Sequence, residues 1–184
     1  MDYTAFSHGQ MQSKIWLCES LEKYIPENSN IAILGSWYNL TGILLLTRNP
    51  NKYNFILGID VDKNAIDISN KLCEGWMIQP NVKIRNEVAD ANYYNFGGYN
   101  VIINCSVEHM SSTRWFDNLH SGTLVCTQSS NVQQSDENFD IKNPNQSLED
   151  LCNKFPMRTF YNRKIKRFQY NEWGYTRLMT IGIK

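Results

Sequence analysis

The stretch Phe55 to Leu72, FILGIDVDKNAIDISNKL, decides the fold. Its first half is a continuous apolar run, Phe55, Ile56, Leu57 and Ile59, of the kind a parallel strand carries when helices cover both of its faces. The run stops at Asp60, and an amphipathic helical pattern begins at Lys63. Asp62 stands just before that helix, so its simplest role is to accept a bond from a free first-turn amide as the N-cap. Asp60 is different. It ends the strand at the carboxyl edge, where open α/β sheets bind ligands and where an acid can accept hydrogen bonds from both hydroxyls of a ribose.

The same alternation repeats on either side. His8 to Tyr24 reads as a leading helix closed by Pro26, and Ile31 to Leu34 as a strand running into Gly35. Leu40 to Thr47 is the next helix, stopped at Asn49 and Pro50. Val82 to Val88 alternates as a third strand, Tyr99 to Cys105 is a buried fourth, and Gly122 to Thr127 a fifth, with a short helix from Ser111 to Leu119 between the last two. Gln128 to Gln146 is polar and reads as a loop. Ser147 to Phe155 reads as a helix with Ser147 as N-cap and Asp150 at the capping-box position. Two β-rich runs around Asn171 to Gly174 then form a closing antiparallel hairpin. These units imply one α/β domain over 1–184, with residues 1–26 as a leading helix and 157–184 as closing strands. Its core is a doubly wound, mostly parallel seven-stranded Rossmann-like sheet with right-handed crossovers.

Composition narrows the function. Eighteen basic and eighteen acidic side chains in 184 residues leave a formal net charge of zero, which offers no global field to nucleic acid or an anionic membrane. Five cysteines, Cys18, Cys73, Cys105, Cys126 and Cys152, are widely spaced and odd in number, so neither a disulfide framework nor a zinc site is expected. No apolar run approaches membrane-spanning length, and the opening MDYTAFSHGQ lacks the basic and apolar parts of a signal peptide. A cytoplasmic protein handling a small molecule fits these features. Nucleic acid would need a local basic patch, and oligomeric state is not encoded in any feature of the chain.

The order of ILGSW (33 to 37), GIDVDKNAI (58 to 66), VADA (88 to 91) and NVIINCSVEHM (100 to 110) resembles the class I S-adenosylmethionine-dependent methyltransferases over most of the chain. The resemblance implies the Rossmann-like methyltransferase fold and S-adenosylmethionine as cofactor. In that family a glycine turn after the first strand lies beside the methionine part of the cofactor, an acid ending the second strand holds the ribose, and an Asp after the third contacts the adenine amino group. Gly35, Asp60 and Asp90 stand at those places, flanked by Ser36, Trp37, Val61 and Ala91, with Asn104 and Cys105 closing the fourth strand. The first motif departs from the family: Ile33 replaces its usual acid, and Trp37 and Asn39 replace its second and third glycines. Asparagine tolerates a left-handed backbone, whereas a tryptophan blocks the close approach that a dinucleotide pyrophosphate needs, so NAD is not expected. Trp37 is open to two roles, cofactor wall or packing beneath the next helix.

Acceptor chemistry is expected after the fourth strand, where Ser106, Glu108 and His109 resemble the S-x-x-E-H segment of small-molecule methyltransferases. An unperturbed imidazole titrates near neutrality, so His109 is the natural base, with Glu108 as a second candidate. Ser106, Trp115 and Gln128 are expected to border the acceptor. No metal is expected. An N-P-P-Y-like nucleobase segment and the Pro-Cys pair of pyrimidine chemistry are both missing around Asn104 and Cys105. Two rivals remain: transfer of the aminocarboxypropyl group from the same cofactor, and a non-catalytic module that binds RNA through Arg158, Arg163, Lys164, Lys166 and Arg167. Alternating basic residues also protect an exposed edge strand from aggregation.

Overall fold

A computed structural model describes residues 1–78, 83–132, 140–170 and 173–184. Seven strands form one sheet: β1 (Ser29–Leu34), β2 (Tyr53–Asp60), β3 (Ile84–Val88), β4 (Val101–Asn104), β5 (Leu124–Ser130), β6 (Thr159–Tyr170) and β7 (Trp173–Ile183). Their order is β3-β2-β1-β4-β5-β7-β6. The first five pair in parallel, while β7 pairs antiparallel with both β5 and β6. The expected doubly wound sheet with a C-terminal antiparallel hairpin is the fold observed. The turn positions Asn171 and Glu172, the Val82 start expected for β3, and residues 133–139 of the expected loop lie outside the described residues.

Period-two alternation places the core on both sides of the sheet. Ile31, Ile33, Ile56, Val101, Ile103 and Cys126 face Trp16, Leu17 and Leu21 of α1 (His8–Leu21) and Leu45 and Leu46 of α2 (Leu40–Arg48). Cys73 of α3 (Lys63–Met77) joins that layer. Ala32, Leu34, Leu57, Ile59, Ile102 and Val125 face the other way, onto Trp115 and Phe116 of α4 (Arg114–Asp117) and Leu151 and Phe155 of α5 (Leu148–Lys154). The central strands are apolar throughout because neither face meets water.

Local chemistry fixes the helix ends. Asp62 caps α3 by accepting from the Asn64 amide at 2.8 Å. Ser147 and Asp150 form the expected capping box on α5. Three lengths differ from the sequence reading. The helix α4 covers only four residues of the span expected to be helical, since Ser111 to Thr113 are not helical and Thr113, with φ −96° and ψ 3°, stands at the N-cap. The strand β5 runs on through Gln128 to Ser130, where pairing with β7 overrides the polar composition. The strand β4 covers only Val101–Asn104 of the expected Tyr99 to Cys105. Among the described residues no helix is long and apolar enough to cross a membrane.

Candidate active site

The carboxyl ends of β1, β2, β3 and β4 open together into a cavity of about 580 Å³. Gly35, Ser36, Trp37, Asp60, Val61, Asp90, Ala91, Cys105, Ser106 and His109 all border it. The structure therefore brings together most of the residues singled out from sequence. A second cavity of about 600 Å³ adjoins it, bordered by Gln10, Glu108, His109, Ser130, Tyr175 and Arg177 among others. Thr4, Gln10, His109 and Arg177 border both and mark the junction. The segment before α1, a 3-10 turn over Tyr3–Phe6, and the first turns of α1 form the roof.

Each residue is placed by a local cause. Gly35 follows β1 with φ +57°, and a Cβ there would lie 2.6 Å from the Ser106 Cβ, so only glycine lets the β1 and β4 loops meet. Trp37 takes the same left-handed region, φ 50°, and so does Asn39. The turn keeps the backbone path of a glycine-rich loop, at a cost of about 1–2 kcal/mol for a left-handed tryptophan. That tryptophan both borders the cavity and packs against Tyr38, with ring centroids 5.0 Å apart. Asn39 caps α2 by accepting from Gly42.

Asp60 locks the rim. Its Oδ2 accepts from the Trp37 amide at 2.8 Å and its Oδ1 from the Asp62 amide at 3.0 Å. A carboxylate oxygen accepts more than one bond, so acceptor capacity remains toward the cavity. Asp90 caps the short 3-10 turn Ala91–Tyr93 through Oδ1, which accepts from both nitrogens of Asn92, leaving Oδ2 unengaged by any hydrogen bond among the described residues. Ser36 Oγ is buried in the wall with no hydrogen-bond partner among the described residues. An acid at the carboxyl end of β2, a glycine cradle and a buried hydroxyl suit a nucleoside carrying a short polar tail.

At the junction, His109 Nδ1 lies 2.8 Å from the carbonyl oxygen of Asp140. A carbonyl only accepts, so Nδ1 carries the proton and the neutral ring keeps its basic lone pair on Nε2. Glu108 is 2 % exposed. Its Oε1 accepts from Arg177 Nη1 at 3.0 Å and from Ser130 Oγ at 3.1 Å. Its own carbonyl accepts the amides of Lys142 and Asn143. Glu108 thus holds the wall together, a geometry unlike that of a freely presented base.

Three expectations are corrected. Trp115 is 0 % exposed and wedged against Phe116 and Phe155, with centroids 5.6 and 5.2 Å away, so it is core and no substrate wall. Gln128 is buried beneath α1, accepting from Ser13 Oγ at 2.9 Å, and borders neither cavity. Asn104 is buried too; its Oδ1 accepts the Ser106 amide and shapes the loop from behind. Among the cysteines, Cys105 borders the cavity, while burial pushes the Cys18 thiol up to about 12. Sequence reading missed Lys14, Gln10 and Arg177. Lys14 left one faint signal: it lies three residues after Met11 and four before Cys18, on the inner side of its helix.

The basic strand β6 is the outer edge of the sheet. Lys164 Nζ donates to Ser20 Oγ, Lys166 lies over the Trp16 and Phe168 rings, and Arg163 lies over Phe160. Those long side chains cover apolar surface along an edge that would otherwise invite pairing.

Neither a protein-family model nor a curated protein sequence matches this chain. Solved structures do. It superimposes on a geranyl diphosphate C-methyltransferase from Streptomyces coelicolor A3(2), solved with Mg2+, geranyl-S-thiolodiphosphate and S-adenosylhomocysteine, with a TM-score of 0.70 at 10% identity, covering 94% of this chain and 76% of that one. A geranyl diphosphate methyltransferase in complex with S-adenosylmethionine gives 0.67 at 10%, covering 93% and 84%. The MccD protein gives 0.69 at 13%, covering 91% and 96%. The likeness lies in architecture and strand order, and the fold is that of the class I S-adenosylmethionine-dependent methyltransferases.

Proposed function

We propose that the protein is an S-adenosylmethionine-dependent methyltransferase acting on a small-molecule acceptor. The observation that carries this reading is the pair of adjoining cavities, one with Asp60, Gly35 and Asp90 in its wall and the other reached past His109. Neighbours of the same fold bind S-adenosylmethionine or S-adenosylhomocysteine. The residues bordering the first cavity suit the same group.

In this reading Asp60 accepts from the ribose hydroxyls and Asp90 Oδ2 accepts from the adenine amino group. Gly35 and Ser106, joined by a hydrogen bond, line the first cavity between the β1 and β4 loops. The cofactor supplies an electrophilic methyl on a sulfonium, and methyl transfer is an in-line displacement that depends mainly on alignment. The second cavity would hold the acceptor in line with that methyl, and His109 Nε2 would take the proton the acceptor must lose. Arg177, held by Glu108, fixes the floor on which the acceptor rests.

Calorimetric titration of S-adenosylhomocysteine into the wild type and Asp60→Asn tests the reading. Binding in the micromolar range that weakens at least tenfold in the variant supports it. A folded wild type that binds neither S-adenosylmethionine nor S-adenosylhomocysteine overturns it. Product analysis separates the transferred group: methyl transfer leaves S-adenosylhomocysteine, aminocarboxypropyl transfer leaves methylthioadenosine.

A further inference from the structure

Lys14, on α1, is 8 % exposed and borders the first cavity but not the second. Its Nζ donates to a neutral partner, the Gln10 Oε1 at 2.8 Å. Among the described residues no carboxylate lies within ion-pair distance of it. Glu108, whose charge favours the ammonium, is already engaged by Arg177 at 3.0 Å. An ammonium has three donors, and a buried charge is ordinarily paired with an opposite one because leaving water unpaired is costly. Burial accordingly pushes the Lys14 pKa down, and the Arg177 charge pushes it the same way; Cys105, Cys18 and Glu108 oppose them more weakly than burial acts.

The cavity is also electrically polar. Asp60 and Asp90 sit at its β2 and β3 side, whereas Lys14 and Arg177 sit at the side of β4 and β7, with Gly35 between them. A ligand that matches this has hydroxyl and amino donors at one end and an anion at the other.

We propose that Lys14 is the counter-ion for the carboxylate at the amino-acid end of S-adenosylmethionine, so that the covering helix carries a carboxylate-selective subsite. The proposal rests on the methyltransferase reading and names a binding residue for it. An acceptor's carboxylate would be the alternative partner, but Lys14 does not border the cavity beyond His109. Charge-assisted hydrogen bonds of this kind are short and about twice as strong as neutral ones, so the subsite would select for the carboxylate.

The test uses two thioethers that differ in one group: S-adenosylhomocysteine, and S-adenosyl-3-thiopropylamine, which keeps the amine and lacks the carboxylate. Both are titrated calorimetrically into the wild type and Lys14→Met at neutral pH. The wild type should prefer S-adenosylhomocysteine at least tenfold, and the variant should lose that preference while holding the amine within about threefold. Thermal melting of the free proteins should show Lys14→Met at or above the wild type, since it removes an unpaired buried charge. Should the methionine variant not fold, Lys14→Gln reads the same preference. A variant that keeps the wild-type preference, or loses both ligands equally, overturns the subsite alone. A wild type that binds neither thioether removes the methyltransferase reading and this subsite with it.

Discussion

Ser106 Oγ donates to the carbonyl oxygen of Gly35 at 2.9 Å, across the mouth of two neighbouring parallel strands. A Cβ on Gly35 would lie 2.9 Å from that hydroxyl and 2.6 Å from the Ser106 Cβ. Gly35→Ala therefore suffers twice, from the clash and from a left-handed backbone that costs about 1–2 kcal/mol for an L-residue. The variant should melt several degrees lower and bind S-adenosylhomocysteine at least tenfold more weakly. Gly35→Ala with Ser106→Gly should recover part of the loss, because the second change removes both close atoms. If it recovers nothing, the backbone conformation alone accounts for the defect.

Trp115 separates core from site. Buried among Phe116 and Phe155, it should cost about 3–5 kcal/mol on truncation to alanine. Its Nε1 is buried with no hydrogen-bond partner among the described residues, so Trp115→Phe removes an unsatisfied donor along with some volume and should cost much less. Urea unfolding measures both. The affinity of folded Trp115→Phe for S-adenosylhomocysteine should match the wild type. A tenfold change would return Trp115 to the site.

Glu108 and Arg177 should behave as a unit. Their side chains are 2 % and 10 % exposed, so removing one partner strands the other charge, a loss of about 3–5 kcal/mol. Glu108→Gln and Arg177→Met should each destabilise by that order, and the double variant by less than their sum. A double-mutant cycle in urea checks this. Additive losses would mean that the pair is not coupled in solution.

The sheet was legible because its signals are local: continuous apolar runs, a capping carboxylate before α3, the Ser147–Asp150 box before α5. Asp60 was legible for the same reason, since its meaning comes from ending a strand. Trp115 and Gln128 were misread because proximity in sequence to a site says nothing about which way a side chain turns. Gln128 continues β5 only because β7, some fifty residues later, pairs with it at Met179. Arg177 reaches the site through that same long-range pairing. Lys14 was hidden by a different cause: α1 is buried nearly all round, so its apolar periodicity is weak and a charge on the inner side does not stand out.

The Lys14 charge leaves a pH signature in the free protein. Its pKa is lowered on folding, chiefly by burial, from the usual value of 10.5. Between its folded pKa and 10.5 the unfolded chain holds the proton and the folded chain does not, so this group's contribution to stability rises with pH across that window. Cys18 works oppositely. With its thiol raised from 9.0 to about 12, its contribution is full below pH 9 and is lost as pH climbs through 12. A plain stability profile therefore mixes both signs, and the difference between wild type and Lys14→Met isolates the lysine. Lys14→Met should be the more stable below the folded pKa of the lysine, and its advantage should shrink as pH rises from that pKa to 10.5, as measured by urea unfolding at each pH. An advantage that stays constant up to pH 10.5 would show that the Lys14 pKa is not lowered, its charge being already compensated within the free protein, which leaves no unpaired charge for a carboxylate to meet.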